Sequence, residues 1–495
     1  MSSPAPPRSR GLDTVITSAA QVFVLGGAAV MGVLIGARFG ATPETDGFFT
    51  ANAIYGVTLF LAQSLRTTAA ARLLGDAPPF PRLAAHLDAL AVLVLASAAL
   101  AGAAVLVVGA LSVAPEAREA FRTAILLLLP AAALQLFAGL GSAALATRDD
   151  FLTPAVAFGA GAAANVVGFL ALTPALGLDG VAVALAGGSL VAAAIVARAL
   201  HAAGWRPRLV QPRAAAARTA WRLSLGAGAA VAAQIVLTVT VVASAAIASG
   251  GATLFSYASM IIMVLTAGLA SPLGVVFAPA VARDWDRRPE TLEPLALRAF
   301  RAGALLLVPA AAAILLIGPE PAELLLAKVE PSELSQVFVL VLVLVPSVLG
   351  TVLSMIPLTG VLAEHKLGAL AGWSLGVAGA HAAACAVAAA LGAGLVVLAA
   401  ITTVSALALS LVPTSLALRR RAGSLLRGAL TAVAELVALP AAAFASAGLA
   451  LDAWSSLGRG LAAFALGGLV SAAWLAARRR DEIASLVAAL HPSAP

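Results

Sequence analysis

A few polar side chains interrupt the long apolar stretches of this sequence, and they are the residues best able to do chemistry. They include Gln21, Asn52, Arg66, Arg72 and Gln234. Polar groups inside a membrane are costly and tend to mark the path of a hydrophilic ligand. The amides would hydrogen-bond that ligand and the arginines would attract an anion. Interhelical hydrogen bonding and snorkelling of the arginines to the surface are the structural alternatives.

The apolar stretches that carry these side chains are long enough to cross a bilayer, which takes roughly 20 residues. The chain is 61% hydrophobic and 11% charged, with a mean hydropathy of +1.02. About a quarter of a soluble domain is charged, so the solvent of this chain must be lipid. We predict an all-α polytopic membrane protein with fourteen transmembrane helices, called spans 1 to 14, at 15–37, 47–73, 88–112, 122–146, 151–173, 179–200, 223–248, 253–281, 297–317, 335–360, 367–388, 393–418, 427–450 and 456–477.

Positive charge alternates between the gaps that separate the spans. Of the 30 Lys and Arg residues, the outer gaps hold only Arg38, Arg118, Arg122, Lys328 and Arg459. Short cytoplasmic loops retain positive charge during insertion, so we predict that both termini are cytoplasmic. Topology and contact with anionic membrane lipids account for the net charge of +7 without a nucleic-acid partner.

The chain shows signs of an internal duplication on either side of its longest basic loop. Ala19–Val22 is matched by Ala232–Ile235, and Gly40–Thr42 by Gly251–Thr253. Six spans per half would give two lobes related by a parallel repeat, with a cavity between them. We predict a disordered cytoplasmic tail at 1–12, an N-terminal six-helix lobe at 13–200, a basic linker at 201–222, a C-terminal six-helix lobe at 223–418, spans 13 and 14 within 427–477, and a cytoplasmic tail at 478–495.

The loop from span 1 into span 2 reads GVLIGARFGATPETDGFFTANAIYG. It resembles the MviN/MurJ branch of the multidrug, oligosaccharidyl-lipid and polysaccharide (MOP) exporter superfamily. The residues that carry the resemblance are Phe39, Gly40, Ala41, Thr45, Asp46, Phe48, Phe49 and Ala51. A segment entering span 6, LGLDGVAVALAGGSL, is also similar to the family pattern.

The resemblance implies a flippase of the bacterial inner membrane. Its substrate would be an undecaprenyl-diphosphate-linked glycan, such as lipid II for peptidoglycan, moved from the inner to the outer leaflet by alternating access. Membrane lipids and cell-envelope synthesis proteins would be its other partners. Members of this branch carry arginines that are thought to hold the diphosphate, but this chain has Leu25, Met31 and Leu59 at those positions.

Two alternative functions stay open, and the missing arginines favour the first of them. One is a non-transporting membrane partner of envelope synthesis. The other is a multidrug or cation antiporter on the same scaffold, which would need carboxylates within the N-terminal lobe. The gaps between spans are too short for a catalytic domain, so we do not expect an enzyme.

Polar residues near or within the spans suggest two further sites and raise the question of a metal site. Asp46 at the outer start of span 2 could pair with Arg38 as an outer gate, or could simply cap its helix. Glu435 in span 13 could line a groove for the lipid tail. His381 and the only cysteine, Cys385, share a face of span 11, but two ligands do not make a metal site. We therefore expect no metal and no cofactor.

The spacing of small residues predicts close helix packing along span 11. Gly368, Gly372 and Gly376 recur every four residues in span 11, a pattern that lets membrane helices approach one another.

Overall fold

The computed structural model describes residues 27, 30–73, 114–146, 150, 152–206, 214–266, 292–317, 328–363, 366–418 and 421–435, with five single positions between 458 and 473. For 63–73, 214–224, 308–317 and a few other helical positions, only the backbone is described. Span 3, most of span 14, Gln21 and Leu25 lie outside the described residues.

Every regular element within these ranges is helical, as the sequence predicted. A single 3-10 turn at Pro115–Ala117 precedes α3. The α-helices are α1 (Val30–Phe39), α2 (Pro43–Leu73), α3 (Arg118–Ala146), α4 (Leu152–Leu176), α5 (Leu178–Ala202), α6 (Ala214–Ile247), α7 (Gly251–Thr266), α8 (Leu292–Ile317), α9 (Pro331–Ala363), α10 (Leu367–Ala390), α11 (Leu395–Leu418) and α12 (422–435).

The described helices coincide with predicted spans, which confirms the polytopic helical fold. Seven of them are long and apolar enough to cross a membrane, namely α3, α4, α5, α6, α9, α10 and α11. The total of fourteen stays a prediction.

The chain divides into two compact units. The first holds the residues up to Ile35 together with Ala41–Thr253, and the second holds Gly36–Gly40 with the residues from Leu254 onward. The lobe, linker and tail boundaries predicted from the sequence stay predictions. Helix α6 begins at Ala214, within the predicted linker, and packs against α2 in the first unit.

In the first unit, α2 packs on α3 and α6, while α5 packs on α3 and α4. The contact between α4 and α5 is close because glycine faces glycine. A Cβ built on Gly161 would lie 2.8 Å from the carbonyl oxygen of Gly188, which is too short for any other residue. Apolar side chains of α3 and α5, including Leu136, Leu145 and Leu200, fill the core between them.

In the second unit, α9 packs on α8 and α11, and α10 packs on α11. Phe300 of α8 and Ile356 of α9 form a buried cluster with Leu425 of α12. A Cβ on Gly428 would lie 3.0 Å from the Leu297 side chain, so α12 lies directly against α8.

The small-residue face of α10 does not make the close helix contact that its spacing predicts within the described part of the chain. A Cβ built on Gly368, Gly372 or Gly376 meets no atom within 4 Å. All three glycines are exposed.

Candidate functional site

The start of α2 is closed by Thr42 rather than by Asp46. The amide of Thr45 donates to Thr42 Oγ1 at 3.3 Å, and the amide of Thr42 donates to Thr45 Oγ1 at 2.8 Å. This reciprocal pair is a capping box in which threonine stands where glutamate is usual. Asp46 is therefore not the N-cap of its own helix.

The carboxylate of Asp46 instead caps the start of α7. Its Oδ2 accepts from the Gly250 amide at 2.7 Å, and its Oδ1 accepts from the Thr253 amide at 2.9 Å and the Thr253 hydroxyl at 2.8 Å. The first amides of a helix lack partners within the helix and form its positive end, so a carboxylate is well matched to them.

Asp46 is only 4% exposed, which affects its ionisation. Burial raises the pKa of its carboxyl above the ordinary value, and hydrogen bonds from Thr253 and Gly250 act against that shift. Arg38 lies on the last turn of α1 and is exposed. The gate formed by Arg38 and Asp46 stays a prediction.

Two glycines in left-handed conformation shape the turns before α2 and α7. Gly40 has φ +69°, and a Cβ on it would lie 2.7 Å from the carbonyl oxygen of Lys328. The Tyr257 hydroxyl donates to the Gly40 carbonyl at 3.2 Å. In the first unit, Gly250 has φ +75° and lies against Ala41. In the repeated Gly-Ala-Thr strings Gly40 corresponds to Gly251, but the glycine that shares its positive φ is Gly250. The repeat of backbone conformation is therefore shifted by one residue from the repeat of sequence.

Gln234 is 6% exposed at the contact between α6 and α2. Its Nε2 donates to the Ala53 carbonyl at 3.5 Å, and the Thr238 hydroxyl donates to the same oxygen at 2.9 Å. A Cβ on Gly56 would lie 2.6 Å from Nε2, so any other residue there would displace the Gln234 amide from this position. The amide of Gln234 thus joins two helices, and its role toward a ligand stays a prediction.

The other predicted site residues are only partly placed. Asn52 is half-buried on α2, and Glu435 is partly exposed at the end of the described α12. Arg66 and Arg72 lie on α2 in the part where only the backbone is described. Their roles, and the pairing of Gln21 with Gln234, stay predictions.

A hydrogen-bonded cluster in the first unit was missed by the sequence interpretation. The Tyr55 hydroxyl and the Ser189 hydroxyl lie 3.0 Å apart, and Gln135 Nε2 donates to Ser189 at 3.1 Å. Ser189 in turn donates to the Leu185 carbonyl at 2.9 Å. The buried Gln135 Oε1 has no partner among the described residues. The rarity of tyrosine could have marked this cluster in the sequence. The chain has only two tyrosines, Tyr55 and Tyr257, and both form buried hydrogen bonds.

A second polar cluster joins α10 to α11 in the second unit. His381, 1% exposed, has Nδ1 2.9 Å from Ser405 Oγ and Nε2 3.3 Å from Cys385 Sγ. No group of three metal-ligating side chains occurs within the described residues. The hydrogen bond between His381 and Ser405 joins α10 to α11.

Comparison with known proteins places the fold. No family model and no curated protein sequence matches this chain. Among solved structures it is similar to the lipid II flippase MurJ in an inward closed conformation, with a TM-score of 0.76 and 13% identity over 95% of this chain and 99% of that one.

It is also similar to a multidrug resistance MATE family transporter in an inward-facing conformation, with a TM-score of 0.62 and 17% identity over 84% of this chain and 99% of that one. The eukaryotic MATE transporter AtDTX14 matches with a TM-score of 0.60 and 13% identity over 86% of this chain and 98% of that one. The chain therefore has the polytopic helical fold that the MurJ flippase and the MATE transporters of the MOP superfamily share, the fold indicated by the motif at residues 39–51.

Proposed function

We propose that this chain is a flippase of the bacterial inner membrane, with cytoplasmic termini, that moves a polyprenyl-diphosphate-linked glycan from the inner to the outer leaflet. The observation that carries the proposal is the similarity to the lipid II flippase over 95% of this chain at a TM-score of 0.76. The multidrug transporter covers 84% of the chain at 0.62. The motif around Asp46, read from the sequence alone, favours the same branch.

The physical task of such a protein is to shelter a charged head from hydrocarbon. Each unsatisfied polar group in an apolar medium costs several kcal/mol, and a charge costs far more. A polar slot would carry the head while the lipid tail stays in the membrane. Gln234 and Asn52 are the described side chains that we assign to the wall of that slot, with Gln21 from span 1.

The diphosphate needs cations, but the positions where related proteins are expected to carry arginines hold Leu25, Met31 and Leu59 here. Met31 is 5% exposed on α1, so it packs in the protein interior where related proteins are expected to carry an arginine. We assign the attraction of the diphosphate to Arg66 and Arg72 on the last turns of α2. A head with about two negative charges gains roughly 2.3 kcal/mol per charge per 100 mV of inside-negative potential when it moves outward. The membrane potential would therefore suffice as the driving force.

Complementation tests this function. The endogenous lipid II flippase of a bacterium is depleted, this chain is expressed, and survival and accumulated lipid II are measured by mass spectrometry. We expect rescue by the wild type and by Arg66→Lys, and loss of rescue by Arg66→Ala. Arg122→Ala is the matched control, because Arg122 is an exposed arginine at the start of α3. Rescue by Arg66→Ala would remove Arg66 from the site.

Absence of rescue by wild-type protein that is present in the membrane would exclude lipid II as the substrate. The wider class is then tested in proteoliposomes with undecaprenyl-diphosphate sugars of other composition. Flipping of none of them would reject the flippase. Flipping that survives collapse of the potential but stops without a sodium or proton gradient would reject electrical driving.

Antiport of drugs or cations is the second candidate, and the similarity to the MATE transporter favours it. Asp46 is the buried carboxylate described in the first unit, and both of its oxygens are already occupied by Gly250 and Thr253. We therefore expect that expression in a drug-sensitive strain gives no resistance. Resistance that is lost on Glu435→Gln would favour antiport.

A non-transporting partner of envelope synthesis is the third candidate, favoured by the buried Met31. Such a protein would fail in proteoliposomes with every glycan. It would instead co-purify with envelope synthesis enzymes after crosslinking in cells.

A further inference from the structure

The end of α5 carries an exposed group of basic side chains, formed by Arg198, His201 and Arg206 and called here the α5 basic cluster. We propose that this cluster binds the phosphate of an anionic membrane phospholipid. The inference concerns the surface of the protein and does not depend on which molecule is transported.

The guanidinium of Arg206 is the centre of the cluster. Its Nη1 lies 2.8 Å from His201 Nδ1 and donates to the carbonyls of His201 at 3.1 Å and Trp205 at 3.3 Å. All three contacts use one nitrogen. Among the residues that the structure describes, none accepts from the N–H groups of Nε and Nη2. These groups form a planar fork, the geometry that binds two phosphate oxygens at once.

This guanidinium is held in place by the way α5 ends. Gly204 has φ +97°, its amide donates to the His201 carbonyl at 3.0 Å, and the Trp205 amide donates to the Leu200 carbonyl at 2.9 Å. This is a Schellman motif, which fixes the chain just past the helix. The buried ring of Trp205 lies 5.8 Å from that of Phe137 on α3. A cation fixed beforehand loses less entropy on binding than one on a free loop.

The end of predicted span 6 places the cluster at the level of the membrane interface. Helix α5 is apolar enough to span the membrane, and predicted span 6 ends at residue 200. Arg198 is exposed one turn before the end of α5, where a long basic side chain reaches from the hydrocarbon edge toward the headgroups. Tryptophan is enriched at this same level, where Trp205 lies.

The sequence around the cluster is positively charged, which favours an anionic ligand. No Asp or Glu occurs between Asp179 and Asp284. The part of this stretch between 198 and 222 contains Arg198, Arg206, Arg208, Arg213, Arg218 and Arg222. Clusters of four to eight basic residues beside a membrane helix attract anionic lipids. Because the cluster lies at the interface, a lipid phosphate reaches it more readily than a dissolved phosphate does.

Native mass spectrometry tests the proposal. The full chain is purified from mixed micelles with equal phosphatidylglycerol and phosphatidylcholine, and the lipid that stays bound is quantified. We expect preferential retention of phosphatidylglycerol. Each of Arg198→Ala and Arg206→Ala should weaken it about fivefold, and the double variant about 25-fold. Arg206→Gln keeps donors for the helix carbonyls but removes the charge, so it should weaken binding as much as Arg206→Ala.

The control is Arg122→Ala, which removes an exposed arginine from α3 and should leave retention unchanged. Besides retention restored by Arg206→Gln, three results would overturn the proposal. They are equal retention by wild type and double variant, an equal loss in the Arg122 control, and displacement of the lipid by millimolar inorganic phosphate. Displacement would show a site for a free small anion. Retention restored by Arg206→Gln would show that the side chain acts only as a helix cap.

Discussion

Asp46 and Thr253 join the start of α2 to the start of α7 by two hydrogen bonds that end on one carboxylate oxygen. The amide of Thr253 lies 2.9 Å from Asp46 Oδ1, and its hydroxyl lies 2.8 Å from the same atom. The second oxygen accepts from Gly250. Asp46, which lies in the motif at residues 39–51, thus fixes the start of α7.

Replacing the carboxylate of Asp46 by an amide should destabilise the protein. In Asp46→Asn the single side-chain oxygen can serve either Gly250 or Thr253, and the new NH2 group faces the other backbone amide. A buried donor without a partner costs about 1–3 kcal/mol, so we expect a loss of about 2 kcal/mol. Thermal unfolding of the purified protein in one detergent measures it. Glu44→Gln, exposed on the same first turn, should have no effect. An equal effect of both variants would contradict the cap.

Alanine at three glycines should separate backbone strain from steric contact. Gly177→Ala meets no atom within 4 Å, but a φ of +58° with a ψ of −136° strains any residue other than glycine, so it should cost about 1–2 kcal/mol. Gly40→Ala adds the contact with the Lys328 carbonyl and should cost more, at least about 2 kcal/mol. Gly372→Ala lies in open helix and should be neutral or slightly stabilising. The same unfolding assay ranks them, and a Gly40 variant as stable as the Gly177 variant would refute the close approach.

The helices and the MurJ-like fold were predictable because hydropathy and charge are properties of single segments. Each described helix coincides with an apolar stretch, and the motif around Asp46 indicated the same fold. The partner of Asp46 was not predictable, since Thr253 lies 207 residues further along the chain. An N-cap is a local pattern, whereas a carboxylate that caps another helix is set by tertiary packing.

The candidate site was harder to predict because these helices are apolar on nearly every side. A helix without a polar face gives no periodicity from which to assign the direction of a given side chain. Gln234 was singled out by its repeat with Gln21, and it does lie in a buried helix contact. Tyr55 and Ser189 had no repeat and no charge to mark them. Their distance from one another depends on how α2 and α5 pack around α3.

The polar cluster in the first unit should depend most on Ser189. Ser189→Ala removes two hydrogen bonds at once, those that join Ser189 to the Tyr55 hydroxyl and to Gln135 Nε2, so we expect a loss of about 2 kcal/mol. Tyr55→Phe removes one hydrogen bond and leaves Ser189 bonded to Gln135 and to the Leu185 carbonyl. It should cost about 1 kcal/mol. Thermal unfolding of both variants gives the comparison.

The double variant of Tyr55→Phe and Ser189→Ala provides the internal check. It should be less destabilised than the sum of the two single variants, because each removes part of the same interaction. Ser335→Ala on the exposed first turn of α9 is the control for loss of a serine hydroxyl. Full additivity of the two changes would mean that Tyr55 and Ser189 do not interact.

The only cysteine of the chain should be inert in the folded protein. Cys385 is buried beside His381, and a thiol reacts through its thiolate only where a reagent can reach it. Maleimide added to native membranes should leave it unlabelled, and labelling should become complete after denaturation in SDS. Glu116→Cys, which places a second thiol on the exposed turn before α3, should be labelled in native membranes. Labelling of wild-type Cys385 at the rate of that control would show that the contact between α10 and α11 opens to water in the membrane.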